Sequence, residues 1–272
     1  MRERYVVIGN PIAHSRSPQI HAMFAQATGQ ELAYDAVLAP LDGFAATLAR
    51  LVAEGVRGSN VTLPFKTEAF RASDAPSERA RLAGAANTLT FHDGKIAADN
   101  TDGIGLVRDL TINLGVTLAG KRVLLLGAGG AARGVIDSLL QTEPAELVIA
   151  NRSAGKAEAL ADQFGGRLRA RSIAALADGA FDVLINATSA GLQDAAPELP
   201  GGCIAPGAFA YDMVYGKGET PFMKRARAQG AQAGDGLGML VEQAAESFRI
   251  WRAVAPQTAP VIAALRRQLP AA

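Results

Sequence analysis

The sequence predicts an α/β protein built on mainly parallel sheets, and three observations carry that reading. Short apolar runs alternate with longer amphipathic stretches along the whole chain. Arg122 to Leu126 (RVLLL) is an apolar run of the kind that forms a strand buried on both faces. A glycine-rich stretch, GAGGAA, follows it directly and opens a helical pattern.

The elements follow in order. Tyr5 to Ile8 reads as a strand. Ser17 and Pro18 read as the cap and first position of a helix running toward Thr28, because serine satisfies free amides and proline lacks one. Leu32 to Val37 is a second strand, Phe44 to Glu54 a helix, and Ser59 to Thr62 a third strand stopped at Pro64. A helix begins near Ser77, and Asn87 to Ala98 forms a hairpin turned at Asp93 and Gly94. Ile104 to about Asn113 is helical, and the domain boundary falls at its start. The second half alternates again: strand to Leu126, helix Ala131 to Leu140, strand Leu147 to Ala150, helix Ala154 to Phe164, then strands Phe181 to Ile185 and Phe209 to Met213. Helices by periodicity run from Met239 to Trp251 and from Pro260 to Leu269.

Composition sets the outer bounds. With 272 residues, about half of them apolar, the chain can bury a sizeable core, which argues against a disordered or fibrous protein. The formal net charge is +1, so no global field draws nucleic acid or an anionic membrane, and an anionic ligand must be held locally. Cys203 is the single cysteine, which excludes an internal disulfide; His14, His21 and His92 lack metal-ligand spacing. The apolar run after Met1 is too short for a signal-peptide core, and nothing approaches the ~20 apolar residues of a membrane span. The expectation is a soluble, cytoplasmic protein without a structural metal.

Gly127, Ala128, Gly129, Gly130 and Ala131 lie between a strand and a helix. Glycines allow a tight turn and close approach of backbone amides to a pyrophosphate, while the helix N-terminus adds free N–H donors and partial positive charge. After the next strand come Asn151, Arg152, Ser153 and Lys156. An NAD site usually carries an acidic residue there for the ribose hydroxyls. Here two cations stand where a 2′-phosphate would sit, and Ser153 can cap the helix or donate to that phosphate. These residues predict NADP rather than NAD. Asn186, Ala187, Thr188 and Ser189 follow another buried strand at the end where open α/β sheets bind ligands; ordinary turn chemistry is their alternative role.

Three polar clusters mark the first half: His14 to Pro18 after the first strand, Asn60 to Lys66 after the third, and Asn100 to Gly103 closing the hairpin. With them, the segments IAHSRSP, SNVTLPFK, AGAANTL, NTDG, GAGGAA, NRS, NATSAG, YDMVYGKGETPF and DGLGMLVEQAA run in order from Ile12 to Ala245. In these the chain resembles the shikimate dehydrogenase family. The resemblance implies an N-terminal α/β substrate-binding domain (1–103), a Rossmann-like NADP-binding domain (104–236) and C-terminal helices (237–272) returning to the first. It implies a cytoplasmic oxidoreductase of the shikimate pathway, converting 3-dehydroshikimate and shikimate with NADP(H), as monomer or homodimer, with no nucleic-acid or membrane partner.

Carried over by position, the resemblance assigns the substrate carboxylate to Ser15 and Ser17, with Tyr215 nearby, and the ring hydroxyls to Thr62, Lys66, Asn87, Asp102 and Gln243. Lys66 and Asp102 carry the chemistry, the ammonium protonating the ketone oxygen and the carboxylate orienting it. A surface lysine opening a helix, and an Asx turn or cap before Gly103, are their alternatives. His14 is a competing acid/base because imidazole titrates nearest neutrality. Met213 and Gly236 would line the nicotinamide pocket, with Met213 equally suited to core filling, and Glu78 is a further cofactor contact. A quinate/shikimate dehydrogenase using NAD, and a non-catalytic metabolite sensor, are the other functions considered.

Overall fold

The computed structural model describes residues 2–177, 179–188, 195–216 and 218–270, in two units: residues 2–105 with 241–261, and 106–240 with 262–270. Ser189, at the end of one polar cluster, lies outside the described residues.

The first unit holds strands β1 (Glu3–Gly9), β2 (Leu32–Leu38), β3 (Gly58–Val61), β4 (Ala75–Pro76), β5 (Thr88–His92) and β6 (Lys95–Asp99). Its helices are α1 (Ser17–Thr28), α2 (Phe44–Ala53), α3 (Lys66–Arg71), α4 (Glu78–Ala83) and the start of α5 (Asp102–Arg108). The sheet order is β2-β1-β3-β5-β6-β4. β1 pairs parallel with β2 and β3, whereas β5 runs antiparallel to both its neighbours, so this sheet is mixed. The predicted hairpin is present, turned through positive φ at Asp93 and Gly94. Ser17 is not the cap of α1. It is the first helical residue, and the hydroxyl of Ser15 accepts its N–H at 3.3 Å, because the chain enters the helix one residue earlier than a serine cap requires.

The second unit is wholly parallel, with β7 (Arg122–Leu126), β8 (Glu146–Ala150), β9 (Arg169–Arg171), β10 (Phe181–Asn186), β11 (Ile204–Asp212) and β12 (Gln232–Asp235) in the order β12-β11-β10-β7-β8-β9. α6 (Gly130–Leu140), α7 (Ala154–Asp162) and α8 (Pro221–Ala228) connect them. The chain reverses its direction of travel between β7 and β10, and at such a switch point the strand ends leave a crevice for a ligand. Side chains of β7 alternate between two cores: Val123 and Leu125 pack on one face, Leu124 and Leu126 on the other, which is why residues 123–126 are all apolar.

The helix predicted over 104–113 begins two residues earlier, at Asp102, and its last turn, Asp109–Asn113, is a π-helix closed by Leu114 N–H to Asp109 C=O. Two helices complete the chain, α9 (Leu237–Arg252) and α10 (Ala259–Arg266). Residues 241–252 of α9 belong to the first unit, where Trp251 donates to Leu89 C=O at 3.0 Å and stacks on Tyr5. Gly58 makes this possible, since a Cβ there would lie 2.6 Å from the indole nitrogen. Among the described residues no helix is long and apolar enough to cross a membrane.

Candidate active site

In the first unit the polar clusters converge through side chains. Lys66 opens α3 and Asp102 opens α5, and the lysine Nζ donates to Asp102 Oδ2 at 2.5 Å. The two side chains are only 18% and 7% exposed, so the pair is shielded from bulk screening while the ammonium keeps a path to solvent. The other carboxylate oxygen, Oδ1, accepts from Asn87 Nδ2 at 2.9 Å. Asn87 lies before β5, and its amide also lies within donating distance of Gln243 Oε1, at 3.1 Å, and Thr101 Oγ1, at 2.9 Å. Its own oxygen accepts the Thr101 N–H at 2.8 Å. Asp102 is not spent on capping; its backbone N–H is taken instead by Asn100 Oδ1. Lys66 both opens a helix and makes the pair, so the helix position is compatible with the chemistry.

Residues outside the expected set complete this network. Asn60 Nδ2 donates to Ser247 Oγ at 2.9 Å and to Asn87 C=O at 3.1 Å, and Asn60 Oδ1 accepts from the Tyr34 phenol at 2.7 Å. Tyr34 is itself buried, and burial pushes its phenol pKa up against a smaller lowering effect of Ser17. A chain of hydrogen bonds thus links Tyr34 to the Lys66–Asp102 pair, passing from β2 over β3 to the start of β5. Asn60 was legible within its motif, whereas Tyr34 and Ser247 lie in ordinary strand and helix patterns that give no sign of it. Thr62 sits at the end of β3 against Gly9, where a Cβ would approach the threonine methyl to 2.5 Å. His14 is exposed. Glu78 lies in the first turn of α4, behind the cap formed by Ser77, and is not part of this network.

The second unit carries the residues expected to hold a nucleotide. Gly127 follows β7 with φ of 107°, and its N–H donates to Ala150 C=O at 2.8 Å. A Cβ there would be 3.1 Å from Ala187 C=O, so the turn closes only around glycine. At Gly129 and Gly130 a Cβ would meet nothing within 4 Å, which leaves open space above the first turn of α6. Ala128 is buried and Ala131 half-buried on that turn. Asn151 Nδ2 folds back to Ser153 C=O at 3.0 Å. Ser153 occupies the N-cap of α7 but makes no capping bond through its side chain. Arg152 and Lys156 are exposed and carry no ion pair among the described residues, so two free cations stand at the end of β8. An open glycine turn beside two unpaired cations fits a phosphorylated dinucleotide.

Thr188 is held by Asn186, whose Oδ1 accepts both its N–H at 3.1 Å and its hydroxyl at 2.7 Å. Met213 is half-buried and packs on the core beside β11. Gly236 is required locally, because a Cβ there would overlap Met213 C=O. Tyr215 follows in the same loop and belongs, like these, to the second unit.

Three family models match the chain: the shikimate dehydrogenase substrate binding domain over residues 7–89, shikimate/quinate 5-dehydrogenase over 110–193, and the shikimate 5′-dehydrogenase C-terminal domain over 236–266. A shikimate dehydrogenase (NADP(+)) of Dechloromonas aromatica is 58% identical, over 99% of both chains. Among solved structures, an Ael1 enzyme from Pseudomonas putida superposes with a TM-score of 0.91 at 51% identity, covering 99% of each chain. The shikimate 5-dehydrogenase of Thermus thermophilus, solved with NADP(H) and shikimate, matches with a TM-score of 0.89 at 36% identity, over 98% of this chain and 100% of that one.

Proposed function

The chain belongs to the shikimate dehydrogenase family, and from that premise we propose that it reversibly reduces 3-dehydroshikimate to shikimate with NADPH, using Lys66 and Asp102. The observation that carries the assignment of these residues is the 2.5 Å ion pair, held on its far side by Asn87. When bound, NADPH supplies the hydride. Lys66 gives its proton to the ketone oxygen as negative charge develops there, and its ammonium stabilises that charge in a sparingly hydrated setting. Asp102 accepts from both Lys66 and Asn87, which fixes the direction of the ammonium and leaves fewer orientations to be lost in the transition state.

Ser15 and Ser17 take the substrate carboxylate, with Tyr215, while Thr62, Asn87 and Gln243 match the ring hydroxyls. A network of neutral donors and acceptors suits a polyol, since each unmatched group penalises the wrong sugar acid. The glycine turn, 127–131, holds the pyrophosphate by backbone amides; Asn151, Arg152, Ser153 and Lys156 hold the 2′-phosphate; Thr188, Met213 and Gly236 serve the nicotinamide end, with Glu78 a further contact. The lone, buried Cys203 suits a reducing compartment, and we place the reaction in the cytoplasm.

The test is a spectrophotometric assay with shikimate and NADP, run on the wild type and on Lys66→Ala. Turnover should appear in the wild type and fall by roughly 10²-fold or more in the variant, with the KM for shikimate changed by a modest factor. Near-normal turnover in Lys66→Ala removes the lysine from the mechanism, and binding without turnover in the wild type favours a sensor.

A further inference from the structure

Asp212 has no part in the chemistry described so far. It ends β11, is 0% exposed, and faces no Lys or Arg partner among the described residues. Its neighbour across the ladder, Asp235, is likewise buried but is neutralised by a two-pronged contact from Arg266, both arms at 2.6 Å. Asp212 is held by neutral donors instead. Asn186 Nδ2 reaches Oδ1 at 3.2 Å, the Val214 N–H reaches the same oxygen at 3.1 Å, and the Thr220 hydroxyl reaches Oδ2 at 2.7 Å. Burial, with a smaller push from Asp235, holds its carboxyl above the ordinary carboxylate range, and these three donors oppose that by favouring the ionised form. Three donors and no acceptor surround it, which suits a carboxylate and neither a carboxamide nor a protonated acid.

Each donor belongs to a different loop around the nicotinamide end. Asn186 holds both donors of Thr188. Val214 follows Met213, and its carbonyl accepts the Gly236 N–H at 3.4 Å. Thr220 caps α8 through Met223 N–H. The carboxylate therefore ties together the segments that present Thr188, Met213 and Gly236. It also leaves an uncompensated negative charge next to them. The nicotinamide ring is cationic when oxidised and neutral when reduced, so a nearby unpaired anion lowers the free energy of one redox state alone.

We infer that Asp212 is a positioning residue for the nicotinamide end whose unpaired charge favours NADP+ over NADPH. This rests on the reading of the second unit as the NADP-binding unit. The experiment measures dissociation constants for NADP+ and NADPH, and the KM for shikimate, on the full chain and on Asp212→Asn. The variant should lose about tenfold in NADP+ affinity and distinctly less in NADPH affinity, with the shikimate KM within about twofold. Equal losses for the two nucleotides, or none, overturn the inference while leaving the function intact. A wild-type chain that binds neither nucleotide overturns the function and this inference with it. Should Asp212→Asn not fold, Thr220→Val removes one donor and keeps the charge. It should weaken both nucleotides without lowering the preference for NADP+, and a lowered preference counts against the inference.

Discussion

At the scale of single residues, the first unit combines an ion pair that solvent can reach with a buried aromatic layer. His21 lies one helical turn beyond Ser17 in α1, is fully buried, and stacks on Tyr34 with ring centroids 4.1 Å apart. Phe24, Phe248 and Trp251 complete its surroundings. Burial pushes its imidazole down to about 3, against a smaller opposing contribution from Asn60. Two consequences follow. A group that stays neutral in the folded protein is a poor acid/base, so His21 supports the tyrosine that holds Asn60 and takes no proton itself. It also makes the fold sensitive to acid, because the unfolded chain binds a proton near the ordinary value of 6.5 while the folded one binds it only near 3. The stability this contributes is complete above 6.5 and is lost as pH falls between those values, by up to about 1.4 kcal/mol per pH unit. Comparing denaturant unfolding at pH 7 and pH 5 in the wild type and in His21→Phe should show the variant losing about 2 kcal/mol less over that interval. Parallel losses would mean that the imidazole is protonated in the folded state as readily as in the unfolded one.

At the scale of elements, the start of α9 shows how the π-turn at Asp109–Asn113 is used. The widened turn delivers Asp109 as a buried side chain that accepts from Tyr211 at 2.6 Å and from Asn113 at 3.0 Å. Its carboxylate lies so close to Gly238, in the first turn of α9, that a Cβ at 238 would overlap Oδ1. A carboxylate at a helix N-terminus is favourable, and the approach is open only to glycine. Gly238→Ala should therefore cost about 2 kcal/mol or more of unfolding free energy. Gly155→Ala, in α7 with nothing within 4 Å of the new methyl, should be neutral or mildly stabilising. Equal effects at both would show that Asp109 moves aside freely. Neither the π-turn nor this contact is legible in the sequence, because Asp109 meets partners more than a hundred residues away, which no local pattern records. What was legible had local causes: apolar runs for the strands, the glycine turn after β7, Asp93 and Gly94 for the hairpin. The short strands β4, β9 and β12 were missed because two to four residues carry no period of their own. Lys66 and Asp102 were legible only through their motifs, since their 2.5 Å contact joins residues 36 apart.

At the scale of the whole molecule, charge decides how an anionic cofactor is chosen. With 27 basic and 26 acidic side chains the protein has almost no net field, so neither NADP nor NAD is drawn in by overall attraction. Discrimination has to come from cations placed where the phosphate would lie, and Arg152 and Lys156, without an ion pair among the described residues, stand at the end of β8. Other arginines are already committed, among them Arg79 to Asp99, Arg122 to Glu146 and Arg266 to Asp235. A bound ligand stabilises the folded chain by about 2.7 kcal/mol at a concentration 100 times its dissociation constant, so thermal unfolding in the presence of each nucleotide reads the two affinities on one scale. NADP should stabilise the wild type more than NAD does at equal concentration. In Arg152→Glu the lost and reversed charge should remove about 1.5–3 kcal/mol from NADP binding, the worth of a hydrogen bond to a charged group, and leave the response to NAD nearly unchanged. Equal losses for the two nucleotides would mean that the arginine acts on something they share, and that the 2′-phosphate is read elsewhere.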